Sequence, residues 1–146
     1  MTTLRTPTQL CDHGFAPDDK RAPLDAVSTR YAVALPPALA ELIDPSDPHD
    51  PIARQFVPDA AELDAQPQEL ADPIGDDAHS PVEGVVHRYP DRVLLKLTPV
   101  CAVYCRFCFR REMVGPDKGR PLSAESLGSC RPPAGSASGV SVMLEH

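Results

Sequence analysis

Three thiols stand at intervals of four and three in Cys101-Ala-Val-Tyr-Cys105-Arg-Phe-Cys108, near enough along the chain to converge on one metal centre. Three thiolates suit a 4Fe-4S cluster held at three of its four irons, because such clusters are bound by cysteine and tuned by nearby charges and hydrogen bonds. The fourth iron would stay open. Structural zinc is the competing reading, and it asks for a closed set of four donors. His87 and Cys130, the nearest candidates for the fourth, make no usual pair-and-pair spacing with the other three. Three free, buried cysteines are the remaining reading, since free cysteine is among the most buried residue types. Spacing alone leaves all three open.

Other residues near the motif could bind anions. Arg110 and Arg111 follow the last cysteine, and a guanidinium pairs with carboxylate or phosphate through two parallel hydrogen bonds, which lysine cannot do. An isolated Arg-Arg pair reads as a solvated basic patch; beside the cysteine loop, Arg110 reads as a clamp. His49, His79 and His87 lack a partner at ligand spacing. Asp76-Asp77 reads as a polar turn rather than a pair of catalytic carboxylates. No catalytic residue is assigned.

The stretch His87-Arg-Tyr-Pro-Asp-Arg92, continuing through the three cysteines to Phe109-Arg-Arg-Glu-Met-Val-Gly115, resembles the lysine 2,3-aminomutase family of radical S-adenosylmethionine enzymes. Residues 43–58 are similar to the family's N-terminal region, and the resemblance covers about residues 24–127. It implies an isomerase in which S-adenosylmethionine, bound at the open iron of the cluster, yields a radical that abstracts hydrogen from an amino acid carried on pyridoxal phosphate. The amino group then moves from the α to the β carbon. Carried over residue by residue, Cys101, Cys105 and Cys108 are the cluster ligands, Phe107 faces the adenosyl part, and Arg110 holds the substrate carboxylate. Arg88, Tyr89 and Arg92 approach the pyridoxal phosphate. The resemblance further implies L-lysine as substrate, with a glutamate-acting mutase or a lysine-isomerising modifier of a translation factor as relatives. It also implies an electron donor, and a homo-oligomer in the full-length family.

A strand must deliver the loop. Residues 92–98, Arg-Val-Leu-Leu-Lys-Leu-Thr, are apolar and rich in strand formers, and Pro99 ends them. Upstream, Leu24, Val27, Tyr31 and Leu35 follow a helical rhythm that predicts one amphipathic helix ended by Pro36-Pro37. Pro37 opens a second, with Leu39, Leu42 and Ile43 on its apolar side before Asp44-Pro45. Between residues 44 and 81 the recurring prolines predict loops with one short helix near residues 52–56. The expected class is α/β: a helical and proline-rich region over residues 1–86, then the first strand, cluster loop and start of a helix of a TIM-like radical barrel over residues 87–127.

The sequence predicts a divergent, disordered tail over residues 128–146, because Gly128-Ser-Cys-Arg-Pro-Pro-Ala-Gly carries turn and linker residues where a helix should continue. A frameshift or early end of the reading frame is the expected cause, since a complete barrel takes about 250 residues. The imine-forming lysine and the acidic residues for the far amino group would then be absent, and this polypeptide would be inactive by itself. From a different class, a small iron-sulfur or zinc module without catalysis, or a nonfunctional fragment, fits the same residues.

The formal charge of −7 argues against nucleic acid or an acidic membrane as partner. Acidic residues crowd positions 41–83 and read as a solvated surface, whereas Arg88, Arg92, Lys96, Arg106, Arg110 and Arg111 gather near the cysteines. That local field suits small anions. The early charges and the lack of a sustained apolar run argue against a signal peptide or membrane span. Five cysteines, with Cys11 and Cys130 isolated, make no disulfide framework, so the cytoplasm is the expected compartment.

Overall fold

The computed structural model describes residues 2–123 and 141–145, which form a small α/β fold. It opens with a helix the sequence reading did not mark, α1 (Pro7–Asp12). The Thr6 hydroxyl accepts from the Gln9 amide while the Gln9 side chain accepts from the Thr6 amide, and Pro7 occupies the first helical position. This is a complete capping box on a short helix. Pro7 and Leu10 are buried, and Leu10 joins the core cluster.

The next helix, α2 (Arg21–Arg30), buries Leu24 and Val27 as the rhythm predicts, but it stops well short of Leu35. Tyr31 is extended (φ −121°, ψ 125°), and Leu35 exchanges both of its backbone hydrogen bonds with Leu4 at 2.9 Å. That bridge satisfies backbone groups a helix would have used, and it places Leu4, Leu10, Val33, Leu35, Ala40 and Ile43 in one buried cluster. Burying each large side chain contributes about 1.5–3 kcal/mol, far more than the few tenths that distinguish helix from strand propensities. Tertiary packing therefore overrides the periodicity.

The expected second helix starts at proline as α3 (Pro37–Ala40) but ends before Leu42, which is exposed rather than apolar-facing. The short helix near residues 52–56 is α4 (Ala53–Phe56), and at its entry the Asp50 carboxylate accepts the amides of Ile52 and Ala53 at 2.9 and 2.7 Å. Single 3-10 turns at Ala60–Leu63 and Asp77–His79 punctuate the proline-rich stretch.

Three strands form the sheet. β1 (Val85–Tyr89) pairs antiparallel with β2 (Arg92–Lys96) across a Pro90-Asp91 turn, and β3 (Ser141–Glu145) pairs parallel with the other edge of β2. Two points differ from expectation. The strand before the cysteines is the second of a hairpin rather than the first strand, and it ends at Lys96 rather than Thr98; His87 lies within β1. In the stretch expected to be a disordered tail, residues 141–145 form β3. Residues 124–140, including the rest of the expected helix, the linker and Cys130, lie outside the described residues.

Leu122 returns to the sheet: its amide donates to the Leu97 carbonyl at 3.0 Å, and its side chain covers Gly84. A Cβ on Gly84 would lie 2.4 Å from Leu122 Cδ2, and the glycine's φ of +76° is itself a conformation other residues resist.

Candidate functional site

Beyond β2 the chain enters a loop, residues 99–115, whose ends meet where the Gly115 amide donates to the Pro99 carbonyl at 2.8 Å. Short-range bonds wind it through successive turns: Cys108 N–H to Cys105 O at 3.2 Å, Arg111 N–H to Cys108 O at 3.1 Å, and Met113 N–H to Arg110 O at 2.8 Å. Tyr104 and Arg106 are buried on either side of Cys105, and the Cys101 amide donates to the Tyr104 hydroxyl at 3.4 Å. Phe107, by contrast, is 72% exposed. Anchoring the two neighbours of Cys105 leaves the three thiols half-buried and unbridged.

All three cysteines line one small pocket of ≈ 30 Å³, which Tyr31, Ala32 and Glu62 also line. Cys101 and Cys108 also face a larger cleft of ≈ 530 Å³ that Lys96, Phe109 and Arg110 share. Burial pushes the Cys101 thiol up, and negative charge on Cys108 adds to the shift; a bound cationic centre reverses both effects by stabilising thiolate. Among the described residues no three His, Cys, Asp or Glu side chains stand as a set that would hold one metal ion.

The loop is pinned to the N-terminal region by charge. Arg106, 8% exposed, donates from Nε and Nη2 to the two carboxylate oxygens of Glu62 at 3.0 and 2.6 Å, and from Nη1 to the Ala32 carbonyl at 2.9 Å. Its amide donates to the Gln55 carbonyl at the end of α4 at 2.7 Å. Arg111 pairs with Glu69 at 3.0 Å and lies over the Tyr31 ring, 4.7 Å from its centroid. Glu112 accepts from Arg30 at 2.7 Å and from the Tyr31 hydroxyl at 2.8 Å. The acidic stretch that reads as solvated surface thus supplies partners for the arginines of the cysteine loop.

Arg110 is placed differently from the sequence expectation of a clamp open to a substrate carboxylate. It is 8% exposed, and its Nε and Nη2 donate to Asp76 Oδ2 at 3.1 and 2.9 Å. Asp76, 2% exposed, also receives Nη2 of Arg88 on Oδ1 at 3.2 Å, and Arg88 donates to the Ile74 carbonyl as well. The reason is local: the Asp72 carboxylate accepts the amides of Asp76 and Asp77 at 2.9 and 2.8 Å, turning the chain so that Asp76 faces inward. Those amides, Asp77 foremost and against the opposing effect of burial, hold the Asp72 carboxyl below its ordinary range.

Tyr89 and Arg92 stand apart, at the exposed hairpin end, where Arg92 pairs with Asp91 and lies over the Tyr89 ring. The structure brings together Cys101, Cys105, Cys108 and Arg110, and joins Arg88 to Arg110 through Asp76. Tyr31 and Glu62 line the pocket, Glu112 lines the cleft and Asp76 holds Arg110 from behind; the sequence reading marks none of them for the site. Glu62 carried a signal, since Asp59-Ala-Ala-Glu62 is a capping-box pattern, but its partner Arg106 is remote in sequence. No helix among the described residues is long and apolar enough to cross a membrane.

No family model matches the chain. It is 49% identical over 83 residues to L-lysine 2,3-aminomutase of Clostridium subterminale, a match covering 57% of this chain and 20% of that protein. L-lysine 2,3-aminomutase of Bacillus subtilis is 46% identical over 79 residues, 54% of this chain and 17% of the relative. Glutamate 2,3-aminomutase of Clostridioides difficile is 36% identical over 104 residues, 69% of this chain and 24% of the relative. Over the matched residues the chain is similar to lysine and glutamate 2,3-aminomutases, and it spans about a fifth of the length of these relatives.

Proposed function

We propose that this chain carries the cluster loop of a radical S-adenosylmethionine aminomutase, whose parent reaction moves an amino group from the α to the β carbon of an amino acid, L-lysine foremost. One observation carries the reading: the three free thiols of the motif share a pocket, and two of them share the adjoining cleft with Arg110. Cys101, Cys105 and Cys108 would hold a 4Fe-4S cluster. When bound, the cluster with S-adenosylmethionine supplies radical chemistry, and pyridoxal phosphate carries the amino group. Such chemistry belongs to the cofactors, and the protein's part is to bind, orient and shield them.

The chain's own residues suit that part. Tyr104 and Arg106 fix the loop from behind, so the thiols are presented rather than left to wander. Phe107, exposed beside two of the cysteines, offers an apolar face to an adenosyl group. Arg110 reaches the cleft with a permanent charge, which suits the α-carboxylate of an amino acid. Arg88 presents a second guanidinium of the kind that binds phosphate, whereas Tyr89 and Arg92, matched to the pyridoxal phosphate side by the resemblance, stand at the exposed hairpin end. The barrel that the family builds around such a loop, an electron donor, a cytoplasmic setting and a homo-oligomeric assembly complete the reading. Nucleic acid and membrane lie outside it.

Anaerobic reconstitution with iron and sulfide tests it. The chain should bind a cluster whose electron paramagnetic resonance spectrum changes when S-adenosylmethionine is added. A cluster indifferent to S-adenosylmethionine, or zinc taken up in preference to iron, would favour a binding module without catalysis.

A further inference from the structure

Asp76 sits behind the site rather than in it. Its carboxylate is 2% exposed and is not among the residues that line the cleft, whereas Arg110, which it holds, is. Oδ2 takes both Nε and Nη2 of Arg110, which lie on one edge of the guanidinium, and so fixes the plane of the group as well as its position. Oδ1 takes Arg88 from β1. A single carboxylate therefore ties a guanidinium of the sheet to a guanidinium of the cysteine loop.

Two roles fit a carboxylate in that place. It could exchange with a ligand carboxylate on Arg110, or it could stay and aim Arg110. The surroundings decide for the second. The Asp76 amide is held by Asp72 Oδ1 at 2.9 Å, its carbonyl accepts the Ser80 hydroxyl at 2.8 Å, and the neighbouring Asp77 amide is held by Asp72 Oδ2 at 2.8 Å. Leaving would take the counter-charge from buried Arg110 and from Arg88 at once, and a buried charge stripped of its partner is strongly disfavoured. A residue fixed at both backbone groups is built to remain.

We propose that Asp76 is a positioning residue: it orients Arg110 for recognition of the α-carboxylate of an amino acid, and through Arg88 it holds the anion-binding side chains of β1 and the cysteine loop in one register. This rests on the reading of Arg110 as a carboxylate ligand. Losing the oriented edge should weaken a ligand that carries a carboxylate and leave one that lacks it almost unchanged, because only the former uses the guanidinium geometry.

The test compares L-lysine with L-lysinamide, whose carboxylate is replaced by an amide, by equilibrium titration of the full chain reconstituted with iron and sulfide. The parent should prefer lysine. Asp76→Asn should lower that preference about tenfold, the scale of one charged hydrogen-bond contact, and Asp76→Glu, which keeps the charge at a different reach, should recover part of it. Arg110→Lys should abolish it. A general loss of structure weakens both ligands together, so the ratio separates positioning from instability, and iron content checks the loop. If the parent does not discriminate, or Arg110→Lys leaves the preference intact, the carboxylate reading of Arg110 fails and the proposal with it. If Arg110→Lys abolishes the preference while both Asp76 variants retain it, the reading of Arg110 stands and the positioning role of Asp76 is overturned.

Discussion

Replacing Glu62 by glutamine should release the cysteine loop from the N-terminal region without disturbing any thiol. The pair it breaks is deeply set, with side chains 6% exposed at Arg106 and 12% at Glu62, and it is closed by two hydrogen bonds of 2.6 and 3.0 Å. Removing one partner of such a pair costs about 3–5 kcal/mol because the other charge stays buried. Glutamine keeps one acceptor oxygen, and the Ala32 carbonyl still receives Nη1 at 2.9 Å, so the lower end, about 3 kcal/mol, is expected. At 1.4 kcal/mol per tenfold, that raises the open population of the loop about a hundredfold. The Arg106 amide reports it, because its hydrogen bond to the Gln55 carbonyl at 2.7 Å exists only while the loop is docked. Amide hydrogen exchange followed by mass spectrometry or NMR should show protection at Arg106 falling by roughly that factor. Protection within threefold of the parent would refute the claim that Glu62 anchors the loop.

Other consequences follow from the same contacts. Gly84→Ala should destabilise the fold by about 1–2 kcal/mol in urea titration, from the positive φ together with the displacement of Leu122; an unchanged midpoint would mean Leu122 does not cover the sheet there. Leu35→Ala should cost about 2–5 kcal/mol, because it empties the centre of the cluster that includes Leu4 and Leu10, and a loss below 1 kcal/mol in the same titration would contradict that placement. Glu112 responds to acid: burial opposes its charged form, but the hydrogen bonds from Tyr31 and Arg30 prevail and hold its carboxyl below the ordinary range. A depressed carboxyl stabilises the fold above its unfolded value and loses that contribution as pH falls through its folded one, so stability should drop below about pH 4.5 more steeply in the parent than in Glu112→Gln. Parallel pH profiles would remove Glu112 from the account.

What the sequence disclosed depended on how far apart the partners lie. The cysteine spacing, the strand at residues 92–96 and the proline-started helix α3 are local signals, and each is visible within a dozen residues. The end of α2 was not, because Leu35 bridges to Leu4, far beyond the reach of a helical repeat, and that bridge defeats a periodicity that is otherwise helical. Asp76 shows the same limit at the site. In sequence it is half of an Asp-Asp turn, which is what its backbone does form; that its side chain faces two arginines 12 and 34 residues away is a tertiary fact. Excess negative charge over residues 41–83 suggested solvent, yet Glu62, Glu69 and Asp76 are spent on Arg106, Arg111 and Arg110. Composition reports how many charges there are and not what they meet.

The central claim, that Cys101, Cys105 and Cys108 together form an iron-sulfur site, is tested most directly by replacing each cysteine with alanine and measuring iron and sulfide retained after anaerobic reconstitution. Loss of one of three thiolates leaves too few protein ligands for the cluster, so each of the three variants should lose most of its iron, while Cys11→Ala and Cys130→Ala keep it. Iron retained at the parent level by Cys105→Ala would contradict the account.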